Sequence, residues 1–396
     1  MYDFTSVVER DGMGSAKWKE MHEKNPHVPK GIVPFSVADM EFRMAPEIIS
    51  GLGEYLKDLV MGYTFPTDAY YDAVCGWMKK RHRWDIQREW IVLSDGVVSA
   101  FFNAVKSVSE PGEGIIIMPP VYYPFFMAME RNKRRIVSNN LVIDNGRYVV
   151  DYDDLEAKAR DPRNKALLFC SPHNPVGRVW ERDELEKIGK ICLENNVVVI
   201  SDEIHSDLIM PGFSHQVFAQ LNDDFAQNTI TCTAPSKTFN LAGMATSNTI
   251  IQNKKLKEAY VETLMQNIGV SMLNIFGYKT CEIAYTQCEN WLHELLIVLN
   301  QNRKTVENFI KERIPQIKVF NLEGTYLQWW DCRGLGMDYK ALERLLIEDA
   351  FLFLDEGHIF GENGKGFERI NLAAPEKTLK DGLERFAAAL KKKNII

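Results

Sequence analysis

The sequence predicts an α/β fold in which a mostly parallel sheet is flanked by helices and joined by a smaller α+β domain. Short apolar runs rich in β-branched residues recur between helical stretches, at residues 114–118, 165–170, 197–200 and 229–232. Each run is continuous and does not alternate with polar residues, which is typical of parallel strands buried on both faces. After about residue 285 the pattern changes to a long amphipathic helix and shorter strand-like pieces, which indicates the smaller domain.

A helix is predicted between the second and third of these runs. Leu185, Ile188 and Cys192 recur there at helical spacing, in a segment covering residues 183–196. Asp183 and Glu186 are placed like a capping box at its start. The two runs and the helix therefore form a strand-helix-strand unit, the building block of a parallel sheet.

Length and linker composition suggest two interleaved domains. A chain of 396 residues is long enough for two domains, and no Pro/Gly/Ser-rich linker separates them. We expect a large α/β domain over residues 45–284. Residues 1–44 and 285–396 are expected to form an N-terminal arm and the small α+β domain.

Composition excludes several classes of protein. The net charge of −7 lacks the basic excess that nucleic-acid binding uses. The seven cysteines are odd in number and never spaced C-x-x-C, and the eight histidines show no metal-ligand spacing, so neither disulfides nor a metal site is expected. No apolar run is long enough to cross a membrane and no export signal opens the sequence. These features favour a soluble protein of the reducing cytoplasm.

Polar clusters follow three of the four apolar runs and a further strand-like run at residues 90–93, at the strand ends where ligand sites of α/β sheets lie. Lys237 could be a nucleophile in a hydroxyl-rich turn, although most lysines are simply solvated. Asp202 ends the run that looks most buried. A carboxylate there is costly unless a cation or hydrogen bonds satisfy it, and a helix cap or a buried salt bridge would also do so. Asn174 lies between prolines in what could be a bare turn. Gly96 precedes a helix whose free N–H groups could hold a phosphate.

Taken together, the four clusters resemble pyridoxal-phosphate enzymes of fold type I, the aminotransferase class I/II superfamily, over nearly the whole chain. The resemblance implies a seven-stranded-type sheet in the large, cofactor-binding domain. It also implies that Lys237 binds pyridoxal 5′-phosphate as a Schiff base and that Asp202 keeps the pyridine nitrogen protonated. The other cofactor-binding residues that it implies are Gly96, Val97, Val98, Tyr122, Asn174, His205, Ser236 and Tyr63. Tyr122 is also expected to act in catalysis, against the face of the ring.

The resemblance extends to the substrate and the partner subunit. Arg369, in an Arg-x-Asn-x-Ala segment, is implied to bind the substrate α-carboxylate, together with Asn174 and Asp39. Tyr63 is implied to reach the neighbouring subunit's site, so a homodimer is expected. Many relatives have an arginine eight residues after the Schiff-base lysine, where this chain has Ala245. Phosphate binding is expected to survive this departure through backbone amides, Ser236 and Tyr63 of the partner subunit.

Within the superfamily the motifs look most like the cystathionine beta-lyase, or carbon-sulfur beta-lyase, branch. His205 is part of that signature, where ordinary transaminases carry tyrosine. The leading expectation is α,β-elimination of L-cystathionine or cysteine S-conjugates to thiol, pyruvate and ammonia, in amino-acid metabolism such as methionine biosynthesis. An aminotransferase acting on a small or aromatic amino acid is the alternative. A ligand-sensing regulatory protein is disfavoured, because Lys237 and Asp202 are both present.

Overall fold

The strands and helices are described over residues 2–269 and 274–396 in a computed structural model. The strands are β1 (Ile91–Ser94), β2 (Gly114–Ile117), β3 (Arg135–Ser138), β4 (Val142–Asp144), β5 (Arg147–Val149), β6 (Asn164–Cys170), β7 (Val198–Asp202), β8 (Thr229–Thr233), β9 (Ser247–Ile250), β10 (Lys318–Val319), β11 (Leu327–Asp331), β12 (Asp355–Glu356) and β13 (Phe367–Asn371). The helices are α1 (Ala16–Lys24), α2 (Pro46–Lys57), α3 (Asp68–His82), α4 (Val97–Ser107), α5 (Pro124–Arg131), α6 (Tyr152–Ala159), α7 (Arg182–Glu194), α8 (Asp223–Gln227), α9 (Pro235–Thr238), α10 (Lys254–Ile268), α11 (Ile275–Gln287), α12 (Glu289–Arg313), α13 (Tyr339–Arg344) and α14 (Glu376–Lys392).

A seven-stranded sheet forms the centre of the molecule, in the order β1-β9-β8-β7-β6-β2-β3. The neighbours β3, β2, β6, β7 and β8 pair in parallel, and β9 is antiparallel to both of its neighbours. The four apolar runs predicted as strands are β2, β6, β7 and β8, and their side chains are almost all buried. The predicted mostly parallel sheet with flanking helices is therefore confirmed.

The helix predicted between β6 and β7 exists, but its start was misplaced. Helix α7 is capped by Glu181, and the reciprocal partner in the capping box is Glu184 rather than the predicted Asp183 and Glu186. Both pairs have the same i, i+3 spacing, so the local pattern fits either register. Tertiary contacts favour the pair Glu181 and Glu184, because Glu184 also forms an ion pair with the buried Arg178.

A second sheet is antiparallel, with the strand order β10-β11-β13-β12. This sheet is built from the part of the chain after α12. Helix α12 packs against α14. The predicted boundary between residues 284 and 285 falls inside α11, and the nearest break between helices is Cys288. The division into domains stays a prediction. Within the described ranges, no helix has both the length and the apolar character needed to cross a bilayer.

Candidate active site

A cavity of about 270 Å³ opens at the carboxyl end of the parallel strands. Its wall contains residues that follow β1, β6, β7 and β8, the same strands whose ends carry the polar clusters. Of the residues predicted for the site, those that line it are Gly96, Val97, Val98, Tyr122, Asn174, Asp202, His205, Ser236 and Lys237. Segments up to about 140 positions apart in the sequence thus meet in one place, because the parallel strands end at the same edge.

Lys237 lies on the short helix α9, which follows β8 directly. Its Nζ donates a hydrogen bond to the carbonyl oxygen of Ala38, at 2.5 Å. Burial lowers the pKa of this amine to about 8, and the positive charge of Arg369 adds to the effect while the carboxylate of Asp39 opposes it. A larger fraction of the amine is therefore neutral near physiological pH than in a solvated lysine, as a nucleophile or base requires.

Asp202 is the last residue of β7, in the middle of the sheet, and is fully buried. Its Oδ1 accepts a hydrogen bond from the backbone N–H of Ile204 at 3.2 Å, which is the one hydrogen bond its carboxylate accepts among the described residues. Burial raises the pKa of the carboxyl group to about 7, although the nearby charge of Lys237 lowers it in part. A carboxylate in this position would be stabilised by a cationic partner inside the cavity.

The turn from β1 into α4 is suited to a phosphate group. Gly96 has φ of 121°, a conformation that side chains disfavour, and it precedes the first turn of a helix running from Val97 to Ser107. The first N–H groups of a helix lack intrahelical partners and carry the positive end of its dipole. Ser236 lines the same cavity and offers a hydroxyl group.

Arg369 reaches the site from the smaller sheet. It lies on β13, is buried, and donates from Nη1 to Oδ1 of Asn174 at 2.9 Å. Its Nη2 forms an ion pair with Asp355, and the guanidinium stacks on the ring of Phe360 at 4.8 Å. The buried Nε has no hydrogen-bond partner among residues 2–269 and 274–396. Arg369 does not itself line the cavity, but Asn174 does, so the two sheets meet at this hydrogen bond.

Two further predicted residues present polar groups to the same cavity. The ring of His205 is buried, and its Nδ1 has no partner in the part of the chain that the structure describes. The ring packs edge-on to Tyr326 with centroids 6.0 Å apart. Burial, reinforced by the charges of Lys237 and Arg369, holds the pKa of His205 well below 6.5, so the ring is neutral. Burial raises the pKa of Tyr122, which keeps its hydroxyl protonated.

Asp39 and Tyr63 do not line the cavity. The carboxylate of Asp39 forms ion pairs with Arg10 and with the buried Lys17, at 2.8 and 2.9 Å. Tyr63 is 93% exposed in the loop between α2 and α3. Ala245, which stands where an arginine was noted in relatives, has φ of 45° and does not line the cavity either.

Several contributors to the site carried no signal in the sequence. The carbonyl of Ala38 accepts hydrogen bonds from Lys237 and from the hydroxyl of the buried Tyr326, the latter at 2.8 Å. Asp355 balances the charge of Arg369. These residues belong to segments distant in the chain and to no local motif, and a backbone carbonyl has no residue type by which a pattern could identify it.

The residues present fit pyridoxal phosphate. A lysine with a lowered pKa can bind an aldehyde, and a buried carboxylate with a single hydrogen bond can face a protonated ring nitrogen. The N-terminus of α4 can hold the phosphate group, and the aromatic face of Tyr122 can lie against a ring.

Comparison with known proteins gives consistent matches along the chain. The family model described as aminotransferase class I and II matches residues 56–386. Cystathionine beta-lyase PatB from Bacillus subtilis is 40% identical over 388 residues, covering 98% of this chain and 100% of that protein. The crystal structure of cystalysin from Treponema denticola, which contains a pyridoxal 5′-phosphate cofactor, superposes with a TM-score of 0.98 and 50% identity, covering 99% and 100% of the two chains. A pyridoxal-phosphate-bound C-S lyase from Staphylococcus hominis has a TM-score of 0.90 and 30% identity, over 98% of both chains.

Proposed function

The chain belongs to the class I and II aminotransferase family, and on that premise we propose that it is a pyridoxal-phosphate-dependent carbon–sulfur β-lyase. Its reaction would be the α,β-elimination of L-cystathionine or a cysteine S-conjugate to a thiol, pyruvate and ammonia. The observation that carries the proposal is the pairing, in one cavity, of Lys237 with a lowered pKa and the buried acid Asp202. When bound, pyridoxal phosphate supplies an electron sink for negative charge at the substrate α-carbon.

The chain's own residues hold the cofactor and move the proton. Lys237 would bind the cofactor and, as a neutral amine, take the proton from the substrate α-carbon. Asp202 would keep the pyridine nitrogen protonated, and this interaction strengthens as negative charge develops, as catalysis requires. The first amides of α4 and the hydroxyl of Ser236 would bind the phosphate, while Tyr122 would contact the ring.

Arg369 would orient the substrate. Its guanidinium is fixed by Asn174 and Asp355, and its buried Nε lacks a partner among the described residues. A substrate carboxylate that accepts hydrogen bonds from Nε of Arg369 and from the amide of Asn174 would offset the cost of burying these donors. Asp39, held beside the carbonyl that binds Lys237, is proposed to contact a more distant part of the substrate.

Elimination is favoured over transamination by the environment of His205. A buried, neutral imidazole occupies the position where the transaminases of the family commonly carry a phenol, and this side chain lines the cofactor cavity. The relatives from B. subtilis and S. hominis agree with this, since both are lyases. An aminotransferase is the second possibility, because the family model and the Lys237–Asp202 pair serve both reactions.

The loop before α3 supports a homodimer in which Tyr63 contacts the partner's cofactor phosphate. Four large apolar side chains are exposed there: Val60, Met61, Tyr63 and Phe65 are 83%, 72%, 93% and 66% exposed. Contiguous exposed apolar surface of this kind marks interaction sites. All seven cysteines are free thiols, which supports a cytoplasmic location.

The test of the proposed function omits any keto acid. Purified protein with its cofactor is incubated with L-cystathionine, and pyruvate and free thiol are followed together. Prompt release of both in equal amounts is the expected result. Activity that appears only after a keto acid is added would instead establish the aminotransferase. Lys237→Ala should reduce turnover at least about 10²–10⁴-fold, whereas the matched variant Lys190→Ala, at an exposed lysine on α7, should leave it unchanged.

A further inference from the structure

A groove lined by basic residues lies apart from the cofactor cavity. It consists of two adjoining cavities of about 370 and 470 Å³ that share Arg81, His82, Ser214 and His215. We call it the basic groove and define it by Arg81, His82, Arg83, Arg182, His215 and His293. No aspartate or glutamate lines either cavity, although the chain as a whole has a net charge of −7. The groove is therefore a local concentration of positive and protonatable groups on an acidic protein.

Two histidines of the groove are held by buried carboxylates. Nε2 of His82 lies 2.9 Å from Oδ1 of Asp207, and Nε2 of His215 lies 2.8 Å from Oε2 of Glu203. The two rings pack edge to face with their centroids 5.8 Å apart, and their side chains are only 5% and 3% exposed. Within residues 2–269 and 274–396, Nδ1 of neither ring has a protein partner. Each ring thus keeps one nitrogen for a ligand in the groove.

The arginines of the groove are not neutralised by acids within it. Arg83 forms no ion pair with any of the described residues. Arg182 pairs with Glu186 one turn along α7, in a contact of two half-exposed side chains that solvent weakens. Arg81 lies 3.6 Å from the carboxylate of Asp207, which His82 already occupies. Among the described residues, Arg83 therefore has no acidic partner and Arg182 has only a half-exposed one, so these two guanidinium groups remain available to an anion.

We propose that the basic groove binds a small, multiply charged anion of the phosphate class. Guanidinium groups form forked hydrogen bonds with phosphate oxygens. An imidazole whose Nε2 donates to a carboxylate can also donate from Nδ1 to an anion when the ring is protonated on both nitrogens. The cavity volumes suit a compact ligand such as pyrophosphate.

This anion would lie behind the cofactor cavity and not in it. The groove and the cofactor cavity share no lining residue. The carboxylates under the groove nevertheless adjoin the catalytic residues: Asp207 accepts a hydrogen bond from Thr238 at 2.8 Å, next to Lys237, and Glu203 follows Asp202. Ligand bound in the groove is expected to leave the KM for substrate unchanged, because it does not compete for Arg369.

The first experiment titrates pyrophosphate into the holoenzyme by calorimetry at constant ionic strength. The cofactor's own phosphate then fills the site at α4. The expected result is saturable binding at one site per chain, weakened at least about tenfold in the double variant Arg83→Gln/Arg182→Gln. The matched control is Arg160→Gln/Arg163→Gln, which removes the same charge from two exposed arginines elsewhere and should bind as the wild type does.

The second experiment locates the ligand. With histidine rings labelled for NMR, pyrophosphate should shift the signals of His82 and His215 and leave those of His22 and His27 in place. Absence of saturable change in both experiments would overturn the proposal. Equal weakening in the control variant, or shifts confined to His205 in the cofactor cavity, would overturn it as well.

Discussion

Nζ of Lys237 donates a hydrogen bond to the carbonyl oxygen of Ala38 at 2.5 Å, across 199 positions of the sequence. The hydroxyl of Tyr326 donates to the same oxygen at 2.8 Å. A segment before α2, the helix α9 and the residue before β11 therefore meet at one carbonyl group, which fixes the amine at the cavity. Because the amine is held at a backbone atom and not by a carboxylate in direct contact, burial can lower its pKa.

The first prediction concerns the protonation of Lys237 in cofactor-free protein. The pKa of about 8 means that half of the amine is neutral near pH 8, well below the 10.5 of a solvated lysine. Reductive methylation of Lys237 should therefore increase with a midpoint near pH 8, measured by peptide mass spectrometry with Lys190 as the internal reference. Arg369→Gln should move the midpoint upward, because it removes a positive charge that disfavours the ammonium form. A midpoint above 10 in the wild type would contradict the prediction.

A second prediction concerns Asp202 and stability. Its pKa is raised from 3.8 to about 7, so the folded cofactor-free protein binds this proton more tightly than the unfolded chain does. The free energy of unfolding should therefore fall as the pH rises from about 4 to about 7, by up to about 4 kcal/mol from this group, and stay low above that range.

The check is urea unfolding of cofactor-free Asp202→Asn beside the wild type. The variant should be the more stable protein at pH 8, and its advantage should shrink toward pH 4. Asp72→Asn, at an exposed position of α3, is the matched control and should show no such trend. With cofactor added, the wild type should be more stable than Asp202→Asn, because the carboxylate of Asp202 then has a cationic partner. An Asp202→Asn variant that is less stable than the wild type at pH 8 without cofactor would refute the argument.

The third prediction separates binding from folding at Arg369. Arg369→Gln should raise the KM for amino-acid substrates about 10- to 100-fold, since a charge-assisted hydrogen bond is lost. It should also destabilise the fold by about 3–5 kcal/mol, because Asp355 is left as a buried charge without its partner. The double variant Arg369→Gln/Asp355→Asn should recover the stability in thermal unfolding and keep the raised KM. A normal KM in the double variant would remove Arg369 from the substrate site.

The fourth prediction tests whether Tyr63 acts across a dimer. Tyr63→Ala and Lys237→Ala should each be strongly impaired alone. Mixed and refolded together in equal amounts, they should recover about a quarter of wild-type activity, since half of the dimers are hybrids with one intact site of two. Activity is measured as pyruvate release, and a mixture of Lys237→Ala with Asp202→Asn is the control that should recover none. No recovery with Tyr63→Ala would place Tyr63 in its own subunit or outside the site.

Local sequence determined the strands and the polar residues at their ends. Continuous apolar runs predict buried strands because a parallel sheet covers both faces of each strand, and β2, β6, β7 and β8 formed where they were expected. Asn174, Asp202 and Lys237 lie at the ends of β6, β7 and β8, so their meeting in one cavity required only that these strands be parallel neighbours. Gly96 follows β1, which β9 separates from β8, so its place at the cavity depends on the order of strands in the folded sheet. The start of α7 could not be decided in this way, because two acidic pairs have the same spacing and the choice depends on Arg178.

Only the tertiary structure decided which groups surround those residues. Lys237 donates to the carbonyl of Ala38, and Arg369 pairs with Asp355. The basic groove combines residues from α3, α7, α12 and the loop after β7. Contacts of this kind join positions far apart in the chain and include a backbone carbonyl, for which every residue type is equivalent. The pKa values of Lys237 and Asp202 follow from the same contacts, since burial is a property of the folded chain and not of the motif.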